Sequence, residues 1–198
     1  MKQYSDFVSV THINEELKQI VSHSRRIYMA ALNAMLITRK ITASRSGFSS
    51  VTRELQSFSQ KLELLTFSVE KEINILISNE AQLLKIQRIT ELCNRTFTTA
   101  DINLSTLRHT ELLNKLQLRQ EMIEYKKDQC RKNILLTLKS LEKHCDLGGS
   151  LAILAKVEST TGEAFAKELT SVSIEIEDVI FNIHECISRA MRVHAKAA

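Results

Sequence analysis

Histidine and cysteine are the residue types in this sequence whose side chains could bind a metal ion or take part in catalysis. In metal-binding helical bundles the ligands recur three or four residues apart, so that two of them share one helix face. None of the six histidines has another at that spacing, and the four cysteines form no Cys-x-x-Cys pair. We therefore predict no metal and no cofactor, and expect reduced thiols inside apolar helical segments. The cysteines are Cys93, Cys130, Cys145 and Cys186.

Histidine phosphotransfer is the group-transfer reaction that these histidines leave open. A phosphorylated histidine would be exposed in the middle of a helix, and His109 and His184 are the candidates. Neither lies in the His-x-Lys/Arg-Gly-x-Ser/Ala context usual in histidine phosphotransfer domains. The sequence also lacks a glycine-rich phosphate loop and a Gly-x-Ser-x-Gly motif. We expect no catalytic residues and no enzyme activity, and keep a phosphotransfer bundle as an alternative.

The first quarter of the chain has an unusual charge distribution. It has no acidic residue between Glu16 and Glu54. Its positive charge could neutralise the acidic C-terminal helix, dock an acidic protein or bind nucleic acid. We do not expect nucleic acid, because the only aromatic residues between Met29 and Leu55 or directly beside that stretch are Tyr28 and Phe48, too few for a stacking surface. The basic residues are Lys18, Arg25, Arg26, Arg39, Lys40, Arg45 and Arg53.

Composition and periodicity predict a chain that is almost entirely helical. Proline and tryptophan are absent and there are only four glycines, so residues that interrupt helices are scarce. Apolar residues recur at alternating spacings of three and four, the pattern of a coiled-coil seam. The predicted helices span about 6–42, 47–97, 102–145 and 151–193. Short connections between long helices predict an all-α, long antiparallel four-helix bundle made of two tandem helical hairpins with coiled-coil-like packing.

The breaks between these helices define the expected domain organisation. We expect residues 1–198 to form a single helical bundle, with a first hairpin over 1–97 that turns at about 43–47. The second hairpin should span 101–198. Its turn is predicted at about 146–150, because the paired glycines Gly148 and Gly149 suit a helix C-terminus. A turn at about 159–163, around Gly162, is the alternative.

The stretch from Met29 to Leu55 resembles the tip of the cytoplasmic signalling hairpin of bacterial methyl-accepting chemotaxis proteins. That tip reads ALNA, then an acidic and alanine-rich run, then a turn ending in Gly-Phe, and then a helix start. Residues 31–34 match the ALNA, and Gly47 and Phe48 match the Gly-Phe at the same separation without a gap. The resemblance implies a hairpin that binds the chemotaxis coupling adaptor and the receptor-associated histidine kinase.

The resemblance also indicates which residues would bind a partner, and where this chain departs from the family. The family's tip glutamate is Ile37 here, its arginine is Lys40, and two of its turn glycines are Thr42 and Arg45. The residues that the match assigns to partner binding are Leu32, Asn33, Lys40, Arg45, Gly47, Phe48, Val51 and Glu54.

A weaker internal echo lies near the C-terminus. The sequence of 54–59 parallels that of 168–173, and the run 154–165 resembles a second degenerate tip. In that run Glu158 and Gly162 keep residue types of the family that the first copy lacks. Chemoreceptors dimerise as a bundle of two identical hairpins, so the echo implies that one chain could reproduce such a dimer.

From these observations we expect a non-enzymatic signalling or scaffold module resembling a soluble chemoreceptor signalling domain, acting through protein–protein contacts at the hairpin tip. The alternative is a structural or adaptor bundle without a chemotaxis role, whose heptad seams serve homo-oligomerisation. No signal-peptide pattern is present. The longest nearly apolar run, residues 27–37, is about half of a membrane-spanning length. We therefore expect a cytoplasmic protein without a transmembrane segment.

Overall fold

The computed structural model describes residues 2–39, 46–97, 105–160 and 166–197, all of which are helical. The prediction of an all-α fold is therefore confirmed for the described part of the chain. The elements are α1 (Lys2–Arg39), α2 (Ser46–Phe97), α3 (Ser105–Thr160) and α4 (Ala166–Ala197).

The predicted seams are the buried faces of these helices. Along α1 every buried position from Ile13 to Ala34 falls on the alternating three-and-four spacing, apart from the extra Ala30. Such a spacing keeps apolar side chains on one helix face, and burial of that face stabilises helices far more than intrinsic propensity does. The seam of α1 is Ile13, Leu17, Ile20, Ser24, Ile27, Ala31 and Ala34.

The predicted break at 146–150 is wrong. Helix α3 continues through Gly148 and Gly149 to Thr160. Glycine costs about 1 kcal/mol in a helix interior, but a glycine also lets a neighbouring side chain approach the backbone closely. Phe58 of α2 uses that space at Gly148. The alternative turn at 159–163 overlaps the end of α3, and residues 161–165 lie outside the described residues.

The chain divides into two compact units. The four-helix unit comprises Met1–Glu70 and Leu135–Ala198, and the two-helix unit comprises Lys71–Ile134. In the four-helix unit each helix contacts the next one, and α4 also contacts α1. The contacts that close this ring are Ser24 with Ser59, Phe58 with His144, Lys156 with Glu177, and Glu16 with Arg189.

The ion pairs between α1 and α4 give the relative direction of these two helices. Glu16 pairs with Arg189 and Arg26 with Glu175, so residue numbers rise along α1 as they fall along α4. Helices α1 and α2 are also antiparallel, because Ser24 meets Ser59 although Ser24 lies 15 residues before the end of α1 and Ser59 lies 13 residues after the start of α2. A parallel pair with this contact would separate Arg39 from Ser46 by about 40 Å, more than the short stretch of chain between them can span. The predicted antiparallel four-helix bundle is confirmed in this unit.

The two-helix unit is an antiparallel pair formed by the rest of α2 and α3. Leu83, Ile86 and Ile123 form its apolar core, with Leu116 packed against them. A buried ion pair joins Lys127 to Glu80.

Candidate functional site

The structure describes some of the predicted partner-binding residues and not others. Leu32 is partly buried and Asn33 exposed on α1, whereas Val51 is buried and Glu54 exposed on α2. Lys40 and Arg45 lie outside the described residues. Gly47 and Phe48 belong to α2, which begins at Ser46, so they are helical and not part of the turn predicted at 43–47.

A buried hydrogen-bonded clasp sets the register of α1 against α2. Ser24 Oγ donates to the backbone oxygen of Ser59 at 3.0 Å, and Ser59 Oγ donates to that of Ser24 at 2.7 Å. The two hydroxyl oxygens lie 2.9 Å apart, and both side chains are buried. Eight residues further toward the turn, the same register brings Leu32 level with Val51. These two predicted residues therefore lie at the same height along the paired helices.

The second hairpin repeats this register. Cys145 Sγ donates to the backbone oxygen of Ile180 at 3.6 Å, and this bond spans 35 residues, as the Ser24–Ser59 bond does. Cys145 follows Ser24, and Ile180 follows Ser59, by the same 121 positions. Helices α3 and α4 therefore pair in the same register as helices α1 and α2.

Burial agrees with this equivalence on both helices of each hairpin. Most buried residues of one hairpin have a buried equivalent 121 positions away in the other, although Val51 is buried and Val172 only partly so. On α1 and α3 the buried pairs are Leu17 and Leu138, Ile20 and Leu141, Ile27 and Gly148, Ala31 and Ala152, and Ala34 and Ala155. On α2 and α4 they are Thr52 and Ser173, Leu55 and Ile176, Phe58 and Val179, Leu62 and Ile183, Thr66 and Ile187, and Val69 and Ala190.

This equivalence corrects the internal repeat that the sequence predicts, because it shifts the alignment of α2 with α4 by one heptad. The sequence aligned Glu54 with Glu168, but the structure makes Glu175 its equivalent. A heptad sequence matches itself nearly as well after a slip of seven residues, because the same residue types recur at the same helix positions. On α3 the equivalent of Ile37 is Glu158, in agreement with the tip-like run noted in the sequence.

The two halves of the bundle are not identical where α2 meets α3. The Phe58 ring stacks on the His144 imidazole with centroids 4.7 Å apart, and His144 Nε2 lies 3.0 Å from the backbone oxygen of Phe58. A Cβ at position 148 would lie 2.5 Å from Phe58 Cζ. The equivalent positions in the other half hold His23, Ile27 and Val179. The contact between α2 and α3 therefore combines the large Phe58 with Gly148. The equivalent positions on α4 and α1 hold two residues of intermediate size, Val179 and Ile27.

Part of the positive charge of α1 is neutralised inside the four-helix unit. Arg26 pairs with Glu175 at 3.5 Å, and Arg25 pairs with Glu63 at 3.8 Å. The interpretation that the basic first helix compensates the acidic last helix thus holds for Arg26. A second ion pair between these helices has its basic residue on α4 and its acidic residue on α1. Arg189 Nε and Nη2 each donate at 2.9 Å to the carboxylate of Glu16.

Burial favours the neutral forms of a histidine and two cysteines in the four-helix unit. Burial, reinforced by Arg26 and Arg189, lowers the pKa of His23. Burial also raises the pKa of Cys145 to about 12 and that of Cys186 to about 11. Thiols with such values are not thiolates near neutral pH and are poor nucleophiles. Among the described residues, no group of three His, Cys, Asp or Glu side chains could hold a metal ion.

Two of the exposed apolar clusters among the described residues were not predicted from the sequence. One is a shallow groove on the α3–α4 face of the four-helix unit, lined by Gly149, Ile153, Phe181 and His184. The other lies on α3 in the two-helix unit, where Leu118, Met122 and Tyr125 are exposed. The sequence could have indicated this second feature, because its three apolar residues are spaced by four and then three and are offset from the residues of the buried seam.

Comparison with known proteins adds no family assignment. No protein-family model matches the chain, and a search of the curated proteins found no match. Within the described residues, no helix is long and apolar enough to cross a membrane.

Proposed function

We propose that this protein is a non-enzymatic signalling or scaffold module, similar to a chemoreceptor signalling domain, that binds another protein at the turn end of its four-helix unit. The observation that carries the proposal is the shared register of its two hairpins. Ser24 bonds to Ser59 as Cys145 bonds to Ile180. This shared register supports the proposal that one chain reproduces the arrangement that two identical hairpins form in a dimeric receptor bundle.

The direction of the helices supports a joint docking surface. Both α1 and α3 run antiparallel to α2 and α4, so the C-terminal ends of α1 and α3 lie at the same end of the four-helix unit. We call this the tip end. Near it Asn33 of the first hairpin and its equivalent Leu154 of the second are both exposed. A partner that contacts both hairpins would meet a polar side chain on one and an apolar side chain on the other.

Binding of the chemotaxis coupling adaptor and histidine kinase to the full chain tests the proposal. We expect capture of at least one of them, weakened at least tenfold by Asn33→Arg combined with Glu54→Lys at the tip end. Ser22→Arg, also at an exposed position of α1 but remote from that end, is the matched control and should bind as the wild type does. Ile37→Glu with Lys40→Arg restores the family residues and should strengthen capture. If neither protein binds even this restored chain, the chemotaxis role is wrong.

A structural or adaptor bundle that acts through self-association is the second candidate function. The exposed Leu118, Met122 and Tyr125 on α3 favour it, because apolar side chains at helical spacing on a solvent face are typical of interaction surfaces. This function needs neither the tip end nor a chemotaxis partner. Failure of the capture experiment would leave it standing.

A further inference from the structure

The solvent face of α3 in the two-helix unit carries an apolar stripe. Leu118 is 65% exposed, Met122 57% and Tyr125 66%. Their spacing of four and then three places them on one face of the helix. The residues of α3 that face α2 are different ones, since Ile123 and Lys127 are buried against it. We call Leu118, Met122 and Tyr125 the outer stripe.

Two rows of charge border the outer stripe on opposite edges. Glu121 and Asp128, seven residues apart, lie along one edge, and all four flanking side chains are exposed. Arg119 and Lys126, also seven apart, lie along the other edge. With Met122 at heptad position a and Tyr125 at d, the acidic row occupies position g and the basic row position e.

This charge pattern selects the partner and its direction. In a parallel two-stranded coiled coil, position g of one chain lies beside position e of the next heptad in the other chain. Glu121 would then lie beside Lys126 of a second copy, and the pair would occur twice by symmetry. In an antiparallel pairing, equal positions face each other, so the acidic rows would meet and repel, as would the basic rows.

We propose that the outer stripe is the seam of a parallel homodimer of this chain. Burial of three large apolar side chains from each copy drives the association, and the Glu121–Lys126 pairs set its direction. The dimer is independent of the tip end, because the four-helix unit already obtains all four helices from one chain. The groove beside Ile153 and Phe181 has no comparable pair of oppositely charged rows, so the structure does not indicate what would cover it.

Sedimentation equilibrium of the full-length chain and its charge variants tests the proposal. We expect the wild type to dimerise, and Glu121→Lys or Lys126→Glu each to raise the dissociation constant at least tenfold by placing like charges together. An equimolar mixture of these two variants should form heterodimers with affinity near that of the wild type, because both cross-chain pairs become attractive again. Glu124→Lys makes the same charge change as Glu121→Lys at heptad position c, outside the stripe and its charged edges, and should have little effect.

The direction of the dimer has its own test. Tyr125→Cys should give an intermolecular disulfide on mild oxidation, because a parallel seam places position 125 opposite itself, whereas an antiparallel seam would place it opposite Leu118. Glu124→Cys, at heptad position c outside the seam, should give much less. Unchanged helical circular dichroism would show that each variant is folded. A wild-type chain that stays monomeric at every concentration reached would overturn the proposal. Charge variants that dimerise as tightly as the wild type, or a mixture that does not recover, would also overturn it.

Discussion

Phe58 of α2 occupies the space that a side chain on Gly148 of α3 would need. A Cβ at position 148 would lie 2.5 Å from Phe58 Cζ and 2.7 Å from Cε2, whereas one at Gly149 would meet nothing within 4 Å. Gly148→Ala should therefore destabilise the protein by about 1–3 kcal/mol through overpacking. Gly149→Ala should stabilise it by up to about 1 kcal/mol, because alanine is the better helix former. Urea denaturation followed by circular dichroism compares the two variants.

The contact between Phe58 and Gly148 also predicts that a smaller residue at position 58 compensates for a larger one at position 148. Phe58→Val with Gly148→Ala approximates the equivalent positions Val179 and Ile27, so the double variant should be more stable than the sum of the two single effects indicates. Strict additivity would mean that the ring does not lie over position 148.

The Ser24–Ser59 clasp should show coupling between its two hydroxyls. Ser24→Ala or Ser59→Ala removes buried hydrogen bonds and should cost about 1 kcal/mol, since a typical hydrogen bond contributes that much net. The remaining hydroxyl keeps its bond to the opposite carbonyl in either variant. Because the two hydroxyl oxygens also lie 2.9 Å apart, a double-mutant cycle on the free energy of unfolding should give a coupling of about 0.5 kcal/mol or more. A coupling of zero would contradict the hydroxyl–hydroxyl contact.

The ion pair between Lys127 and Glu80 should matter most when only one partner is removed. Both side chains are largely buried in the two-helix unit. Lys127→Met leaves an uncompensated buried carboxylate and should destabilise by about 3–5 kcal/mol. Glu80→Leu combined with Lys127→Met replaces the pair by apolar groups and should be close to neutral or stabilising. Thermal unfolding of the single and double variants measures both effects, and equal losses would contradict the burial of this pair.

His23 should make stability fall in mildly acidic solution. Its pKa in the folded protein is lowered from 6.5 by burial, Arg26 and Arg189. Below pH 6.5 the unfolded chain binds a proton at His23 while the folded chain does not, so the free energy of unfolding decreases until the pH reaches the folded pKa. His23→Gln should flatten this decrease between pH 7.5 and pH 5.5, a range chosen to bracket the usual histidine pKa of about 6.5. The exposed His12→Gln is the control, and an identical slope in all three proteins would contradict the prediction.

Fold class and helix faces could be predicted because a single local signal determines them. The three-and-four spacing along α1 identifies the buried face without reference to any other helix.

The continuity of α3 and the register of α3 against α4 could not be predicted, because both depend on residues that are distant in the sequence. Gly148 is tolerated in a helix because Phe58 covers it, and the histidine beside that ring is 86 residues away from Phe58 in the chain. The pairing of Cys145 with Ile180 is ambiguous by one heptad in the sequence alone. Only the packed helices show which heptad pairs.

Disulfide formation by the native Cys145 tests the shared register of the two hairpins most directly. In a chain with alanine at the other three cysteines, one variant carries Ile180→Cys and the other Ser173→Cys, about 10 Å apart along α4 at 1.5 Å per residue. The structure predicts that Cys145 forms an intramolecular disulfide with position 180 and little or none with position 173, as read by peptide mapping under mild oxidation. A disulfide to position 173 in preference to position 180 would contradict the equivalence of the two hairpins.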